Sequence, residues 1–496
     1  MYEKLIDDNY MGVYRLLEYF EKSYSEAISI EELQSSLQIS RFKLMNTIQV
    51  AQQLSEIYSE YIVEVDMKLK TVVIFFKSSF LLSELYARML KSSLSFDLLN
   101  SLYMEKAFSL EKFAQTRYVS VRTLQRKLRK VTAVLENYYV YLDFRKPSPL
   151  IGDEYRIRYY YHTMLWQVYI DSEDSFDNLS YQSKEFITSE FLNYFPHFRL
   201  IDTNKFLNML SITVRRIKQG KLLTQIPEEM CSIYNPLISY DDFREKILIP
   251  FFKKNCIEIE KCGINEILCL YYSFTVMLVY LPYELKNINT VQFDNRVSRL
   301  SHVFIDIFEK EFSYSLTKDE KTYLFVNLCM IHSASLVFYT KLKMDTFGRV
   351  QTTNDFVKVF PKLYIRVESL FKKLFDMDPE FGSLISGNSR LLFQYCMILR
   401  EILKPNLLGE VRIFVQSKLG KLQEEFQKRK IRQLREDVDV ITVGQNDNPE
   451  IVITDFPINH KRFSEGTSFF EWGSPQTEFE WRRLDKMLQE WSRVKK

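Results

Sequence analysis

Residues 109–131 read SLEKFAQTRYVSVRTLQRKLRKV (Ser109 to Val131), and this stretch decides the fold of the N-terminal third. Ser109 is placed to cap the short helix LEKFAQT, Arg117 to Val119 supply a turn, and Ser120 is placed to cap VRTLQRKLRKV. A serine hydroxyl in that position accepts a hydrogen bond from an N–H that the first helical turn leaves unpaired. In the second helix Val121, Leu124, Leu128 and Val131 recur at the spacing of one apolar stripe, which predicts that these four pack inward. Arg122, Gln125, Arg126, Arg129 and Lys130 are then outward or flanking. From Ser109 to Pro147 nine Lys and Arg face only Glu111, Glu136 and Asp143, in a chain whose net charge is only +3. The positive charge is local, as expected of a nucleic-acid face rather than of a generally basic protein. Beyond the helix, Tyr138 to Phe144, a tip at Arg145–Pro149 and Leu150 to Arg158 (LIGDEYRIR) read as strand, turn and returning strand, a wing.

The same grammar precedes it. Ser29 with Glu32 forms a capping-box pattern that opens a helix through Leu37, Ser40 caps another to about Leu54, and Tyr61 to Lys77 reads as a hairpin around Asp66–Lys70. Downstream, two stretches look alike, Asn204 to Gly220 and Thr317 to Tyr339, which suggests a repeated helical module. After Pro405 and Gly409 the pattern changes to Val411–Val415 as a strand, Gly420–Glu436 as a helix, Val438–Val443 and Ile451–Thr454 as strands, and Gln476–Val494 as a closing helix. The expected order is a first winged helix-turn-helix (1–78), a second that is the main DNA reader (79–160), two helical modules (161–290 and 291–408) and a small α/β unit (409–496). The fold class is therefore mainly α and multidomain. With 496 residues the chain is too long for one core, and twelve glycines and thirteen prolines are too few turn-formers for sandwiches or barrels.

Composition also excludes chemistries. No two glycines are closer than Gly382 and Gly387, which removes the Gly-rich dinucleotide loop, and no GxxxxGK phosphate-cradling loop is present. The six cysteines contain no CxxC pair and are expected to be reduced, buried thiols of a cytosolic protein. Five histidines, none spaced as HxxxH or beside a cysteine, predict no metal site and no cofactor. The acidic N-terminal MYEKLIDDNYM lacks the regions of a secretion signal. The longest uncharged run, Ile267 to Leu281, is too short to span a bilayer and reads as a buried helix, so a cytoplasmic location without membrane contact is expected.

A recognition helix enters the major groove by its N-terminal part, where arginine can pair with both acceptors of a guanine edge. Arg122, Thr123, Gln125 and Arg126 are accordingly assigned to base edges, and Arg129, Lys130, Arg145 and Lys146 to the backbone. The first unit offers Arg41 and Lys43, for which an auxiliary DNA contact and a purely structural role both stand. No motif supports an enzyme.

This order of modules resembles the Mga/AtxA family of virulence regulators of Gram-positive bacteria, most specifically through Ser109–Val131 and the trailing LIGDEYRIR. The resemblance implies two phosphotransferase-system regulation domains in the middle and an enzyme IIB-like domain at the end, in a regulator that binds promoter DNA and answers sugar status through histidine phosphorylation. It also implies the phosphocarrier protein as a partner. Two departures qualify it. Regulation domains carry a histidine in a Tyr-Leu-x-x-His-like stretch, whereas Phe206–Leu210 and Tyr323–Asn327 hold none, leaving His197, His332 and then His302 as candidates for phosphate. An enzyme IIB carries a cysteine after its first strand, where this chain has Gln416-Ser417-Lys418, so the last unit reads as non-catalytic and as a surface for self-association. The expectation is a dimeric or higher-order regulator of virulence or carbohydrate-linked genes. An RNA-binding antiterminator and a signalling scaffold without nucleic-acid binding are the alternatives.

Overall fold

The computed structural model describes residues 2–23, 27–105, 108–169, 178–195, 200–231, 233, 235–278, 281, 295–341, 361–377, 389–403, 410–434 and 439–494. The protein is mainly helical, as expected, and its described residues fall into two compact units, within 1–231, 240–273 and 338–350, and within 232–239, 274–337 and 351–496.

The first unit opens with a 3-10 turn, Tyr2–Leu5, then α1 (Asp8–Ser23), β1 (Ala27–Ser29), α2 (Ile30–Leu37), α3 (Arg41–Tyr58), β2 (Tyr61–Asp66) and β3 (Thr71–Phe76). Ser29 and Ser40 cap α2 and α3, accepting from the N–H groups of Glu32 and Lys43. The hairpin is antiparallel, from Tyr61 opposite Phe76 to Asp66 opposite Thr71, and β1, which the sequence reading lacked, adds to its β3 edge. Its burial alternates along β2, with Tyr61 and Val63 inward, because successive side chains of a strand point to opposite faces.

Next come α4 (Leu82–Lys91), α5 (Leu94–Met104), α6 (Leu110–Thr116), α7 (Val121–Leu135), β4 (Tyr141–Leu142), β5 (Leu150–Ile151) and α8 (Glu154–Val168). The wing is shorter than the sequence suggested. Tyr138 closes a 3-10 turn, each strand has two residues, and Glu154–Arg158 is not a returning strand but the first turn of α8. Gly152 explains the break. It sits at φ +150°, and a Cβ there would lie 2.9 Å from the carbonyl oxygen of Tyr139, so the strand ends where only glycine fits.

Helices α9 (Tyr181–Tyr194), α10 (Leu200–Lys218), α11 (Ile249–Lys254) and α12 (Ile264–Val276) follow. α8 is buried nearly all round, including Arg156 and Arg158. Arg158 donates to Glu266 at 2.5 and 3.0 Å and to Glu154 at 3.1 Å, while Arg216 holds Glu154 through two 2.7 Å bonds. Two acids and two arginines thus cancel, the condition under which buried charges are tolerated. Burial works against the charge on Arg158, yet the adjoining Glu266 lifts its pKa above the ordinary arginine value.

The second unit contains α13 (Arg296–Phe312), α14 (Lys318–Val337), α15 (Pro361–Met377) and α16 (Ser389–Arg400), packed around Phe304, Phe308, Leu324, Leu370 and Tyr395. It also contains the terminal α/β part, β6 (Glu410–Gln416), α17 (Lys421–Leu434), β7 (Asp439–Thr442), β8 (Ile451–Thr454), β9 (Ser468–Glu471) and α18 (Glu478–Val494). The sheet is parallel in the order β7-β6-β8-β9, and β9 is an addition to the sequence reading. The run from Ile267 forms most of α12, and among the described residues no helix is long and apolar enough to cross a membrane. All six cysteines are free, but Cys231 and Cys256 are exposed rather than buried, because each lies at or just past the end of a short helix.

Candidate nucleic-acid interface

Helix α7 is built as the sequence suggested at its start and differently along its length. The hydroxyl of Ser120 accepts from the Thr123 N–H at 3.1 Å, and Ser109 does the same for Lys112 at 3.3 Å. Arg117 fixes the turn between the two helices, forking onto Asp97 of α5 at 2.5 and 2.8 Å. Tyr118, at φ +51°, stands 97% exposed at the corner.

Leu124 and Val131 are buried and Leu128 is partly buried, but Val121 is 42% exposed, a correction to the inward stripe. At the mouth of a helix there is no neighbouring layer to cover it. The fourth inward position belongs to Lys127, whose side chain is only 10% exposed and is ion-paired with Asp7. Lys130 is half-buried and bonds to Asp8 at 3.0 Å, and the hydrogen bond from Lys130 holds the Asp8 carboxyl below its usual range. Both acids come from the segment just after the 3-10 turn, which packs on α7. That segment is anchored by Tyr2, fully buried, whose hydroxyl is 2.9 Å from those of both Tyr138 and Thr163.

What remains outward is an uninterrupted row, Arg122, Gln125, Arg126 and Arg129, all exposed. Among the described residues no carboxylate lies within ion-pairing distance of the three arginines. Thr123 is half-buried behind the cap, where its hydroxyl meets that of Ser120. At the wing tip Arg145, 91% exposed at its side chain, forks onto Asp143 at 2.8 and 3.0 Å, and Lys146 is exposed beside it. In the first unit Arg41 and Lys43 are both exposed at the start of α3.

The two helix-turn-helix motifs correspond position by position. Ser29 and Ser109 are 80 residues apart, as are Ser40 and Ser120, and so are the left-handed residues Gln38 and Tyr118. At the same offset buried Leu44 matches Leu124, Thr47 matches Lys127 and Ala51 matches Val131.

A family model, the Mga helix-turn-helix domain, matches residues 78–165, which contain α5 to α7 and the wing just described. This part of the chain is thus similar to the helix-turn-helix domain of Mga. Over 369 residues the chain is 23% identical to the capsule synthesis positive regulator AcpA of Bacillus anthracis, an alignment covering 71% of each chain.

The residues considered for phosphate fall out differently. His197 lies outside the described residues. His332 is completely buried, with Nδ1 3.0 Å from the Ser301 hydroxyl and Nε2 2.8 Å from that of Tyr395. Both ring nitrogens are occupied, and burial lowers its pKa to about 3. His162, which the sequence did not single out, is held alike, with burial taking it to about 3 and its Nδ1 3.2 Å from the Asn208 amide. Where the expected pattern has an imidazole, the chain has buried Leu210 and Asn327, the second accepting from the Leu281 N–H at 3.0 Å, while buried Asn208 donates to the His162 carbonyl. His302 is different. It is exposed on α13, its ring 4.6 Å from that of Phe325.

In the parallel sheet, the turn after β6 lies where such folds hold anions. Here Asp455 accepts from the Ser417 hydroxyl at 2.6 Å and the Lys418 N–H at 2.7 Å, and Glu424 accepts from the Ser417 N–H at 3.2 Å. The chain's own carboxylates occupy those donors.

Proposed function

We propose that the protein is a DNA-binding transcription regulator that docks α7 in the major groove of promoter DNA. The observation that carries this reading is the exposed row Arg122, Arg126 and Arg129, with no carboxylate in ion-pairing distance among the described residues, on a helix capped by Ser120 and fixed by Arg117. Arg122, Gln125 and Arg126, with Thr123 beside the cap, face base edges, while Arg129 and Lys146 neutralise phosphates and Arg145 does so by exchanging Asp143 for one. Lys130 shares its charge with Asp8 and reaches a phosphate only by exchanging one anion for another. A competition assay between duplex DNA and hairpin RNA tests the reading: duplex DNA displacing the probe at the lower concentration supports it, and preference for RNA overturns it.

The modules keep the order 1–78, 79–160, 161–290, 291–408 and 409–496 in this proposal, with the two middle ones as regulation domains and the last as an enzyme IIB-like unit. Because two recognition helices together bind more tightly than one, the working form is a dimer or higher assembly. Leu419, Leu422 and Phe426, exposed by 62, 87 and 48% on and beside α17, support self-association through that unit. Phosphate from the phosphocarrier protein is received at His302 or at His197, since the ring of His332 is sealed. Mass spectrometry after incubation with phosphotransferase components checks this, and a modification confined to any other residue excludes both. The genes controlled are those of virulence or carbohydrate use.

A further inference from the structure

The correspondence between the two motifs gives the first one a chemistry of its own. At the 80-residue offset, the outward positions that hold Arg122, Arg126 and Arg129 on α7 hold Phe42, Asn46 and Gln49 on α3. All three are exposed, Phe42 by 86%, and among the described residues neither amide side chain has a hydrogen-bond partner. A large aromatic ring left in water at the start of a capped helix has no packing role in the chain that carries it. Beside it Arg41 and Lys43 are exposed, and α3 has no acid before Glu56, so the face suits a polyanion.

The side chains differ from those on α7 in what they can recognise. A guanidinium pairs with the two acceptors of guanine, whereas a carboxamide matches the acceptor and donor that adenine shows in the major groove, and an apolar ring fits the methyl group of thymine. We infer that α3 is a second base-reading helix whose ligand is A·T base pairs in the major groove, with Asn46 and Gln49 on adenine and Phe42 on thymine methyl, complementing a guanine-reading α7. This rests on the reading of the protein as a duplex-DNA binder. It goes further by making the first motif a determinant of specificity, beyond the backbone contacts that Arg41 and Lys43 offer.

The test uses the full chain and a randomised duplex library. Selected duplexes are then remade with uracil for thymine, which removes the methyl group, or with 7-deazaadenine for adenine, which removes N7. For the native chain each change within the A·T block should weaken binding roughly five- to tenfold. Phe42→Ala should abolish the response to uracil, and Asn46→Ala or Gln49→Ala the response to 7-deazaadenine. Arg122→Ala should leave both responses in place. Thermal melting checks that the variants fold. If the Phe42, Asn46 and Gln49 variants select the same sequences and respond to the altered bases like the native chain, the inference is overturned while DNA binding stands. If the native chain binds no duplex at low salt, the underlying reading fails and this one falls with it.

Discussion

Replacing Arg126 and Arg129 together by alanine probes the electrostatic basis of the proposed interface. Both side chains point to solvent, and neither has a carboxylate within ion-pairing distance among the described residues, so their charges are available to phosphates. Each phosphate neutralised releases condensed cations and adds about 0.9 to the slope of log affinity against log salt; with Arg129 on a phosphate and Arg126 at a base edge, the double variant should flatten the slope by about 0.9. Across a fourfold rise from about 50 to 200 mM salt, that is roughly a threefold to fourfold smaller loss of affinity than the native chain shows. Lys130→Ala provides the internal comparison. Its ammonium is already bonded to Asp8, so its removal should flatten the slope by less than Arg129→Ala does. Anisotropy titrations of one labelled duplex at several salt concentrations give all the slopes. A double variant with the native slope would refute the placement of this helix face against DNA, whatever its effect on affinity at a single salt concentration.

Other consequences are separately testable. Asp8→Asn should free Lys130 and steepen the same salt slope by up to about one, and an unchanged slope would show that Lys130 never meets a phosphate. Glu266→Gln leaves the buried Arg158 with the Lys221 carbonyl and with Glu154, a carboxylate it already shares with Arg216, and should cost about 3 kcal/mol or more in denaturant unfolding. His162 and His332 are neutral in the folded chain down to about pH 3. In the unfolded chain they take up protons near pH 6.5, so their stabilisation is complete above that value and is lost as pH falls towards 3, by up to about 1.4 kcal/mol per pH unit for each. Melting curves between neutral and mildly acidic pH should show this, and His332→Gln should reduce the acid sensitivity. Leu422→Glu with Phe426→Glu should shift the protein towards smaller species in sedimentation, and an unchanged distribution would remove that face from the assembly.

How much of this was legible in the sequence depended on the range of the interactions involved. The caps Ser29, Ser40, Ser109 and Ser120 were readable because a cap and its acceptor geometry lie within four residues. Lys127 was not, since its partner Asp7 is 120 positions away and only folding brings an acid to a basic helix. The wing was overextended because LIGDEYRIR alternates like a strand, while the close approach of Gly152 to Tyr139 that ends it is a tertiary contact. β9 escaped notice because Ser468–Glu471 (SFFE) has no β-branched residue, unlike the equally short IVIT of β8. Of the candidate phosphate acceptors, His332 sits in a helix whose apolar residues run nearly all round, so the pattern did not signal how deeply the ring is sealed. The residues of α7 proposed to face bases stood out by charge, whereas Phe42, Asn46 and Gln49 carry none and emerged only when the two motifs were matched position by position.

The anchorage of Tyr2 has a practical side for anyone handling the protein. A variant that loses the Tyr2 side chain would leave the hydroxyls of Tyr138 and Thr163 without the third that meets them there. Preparations should therefore keep this residue, and low binding measured with a chain that lacks it would report on the lost anchor as much as on the exposed arginine row.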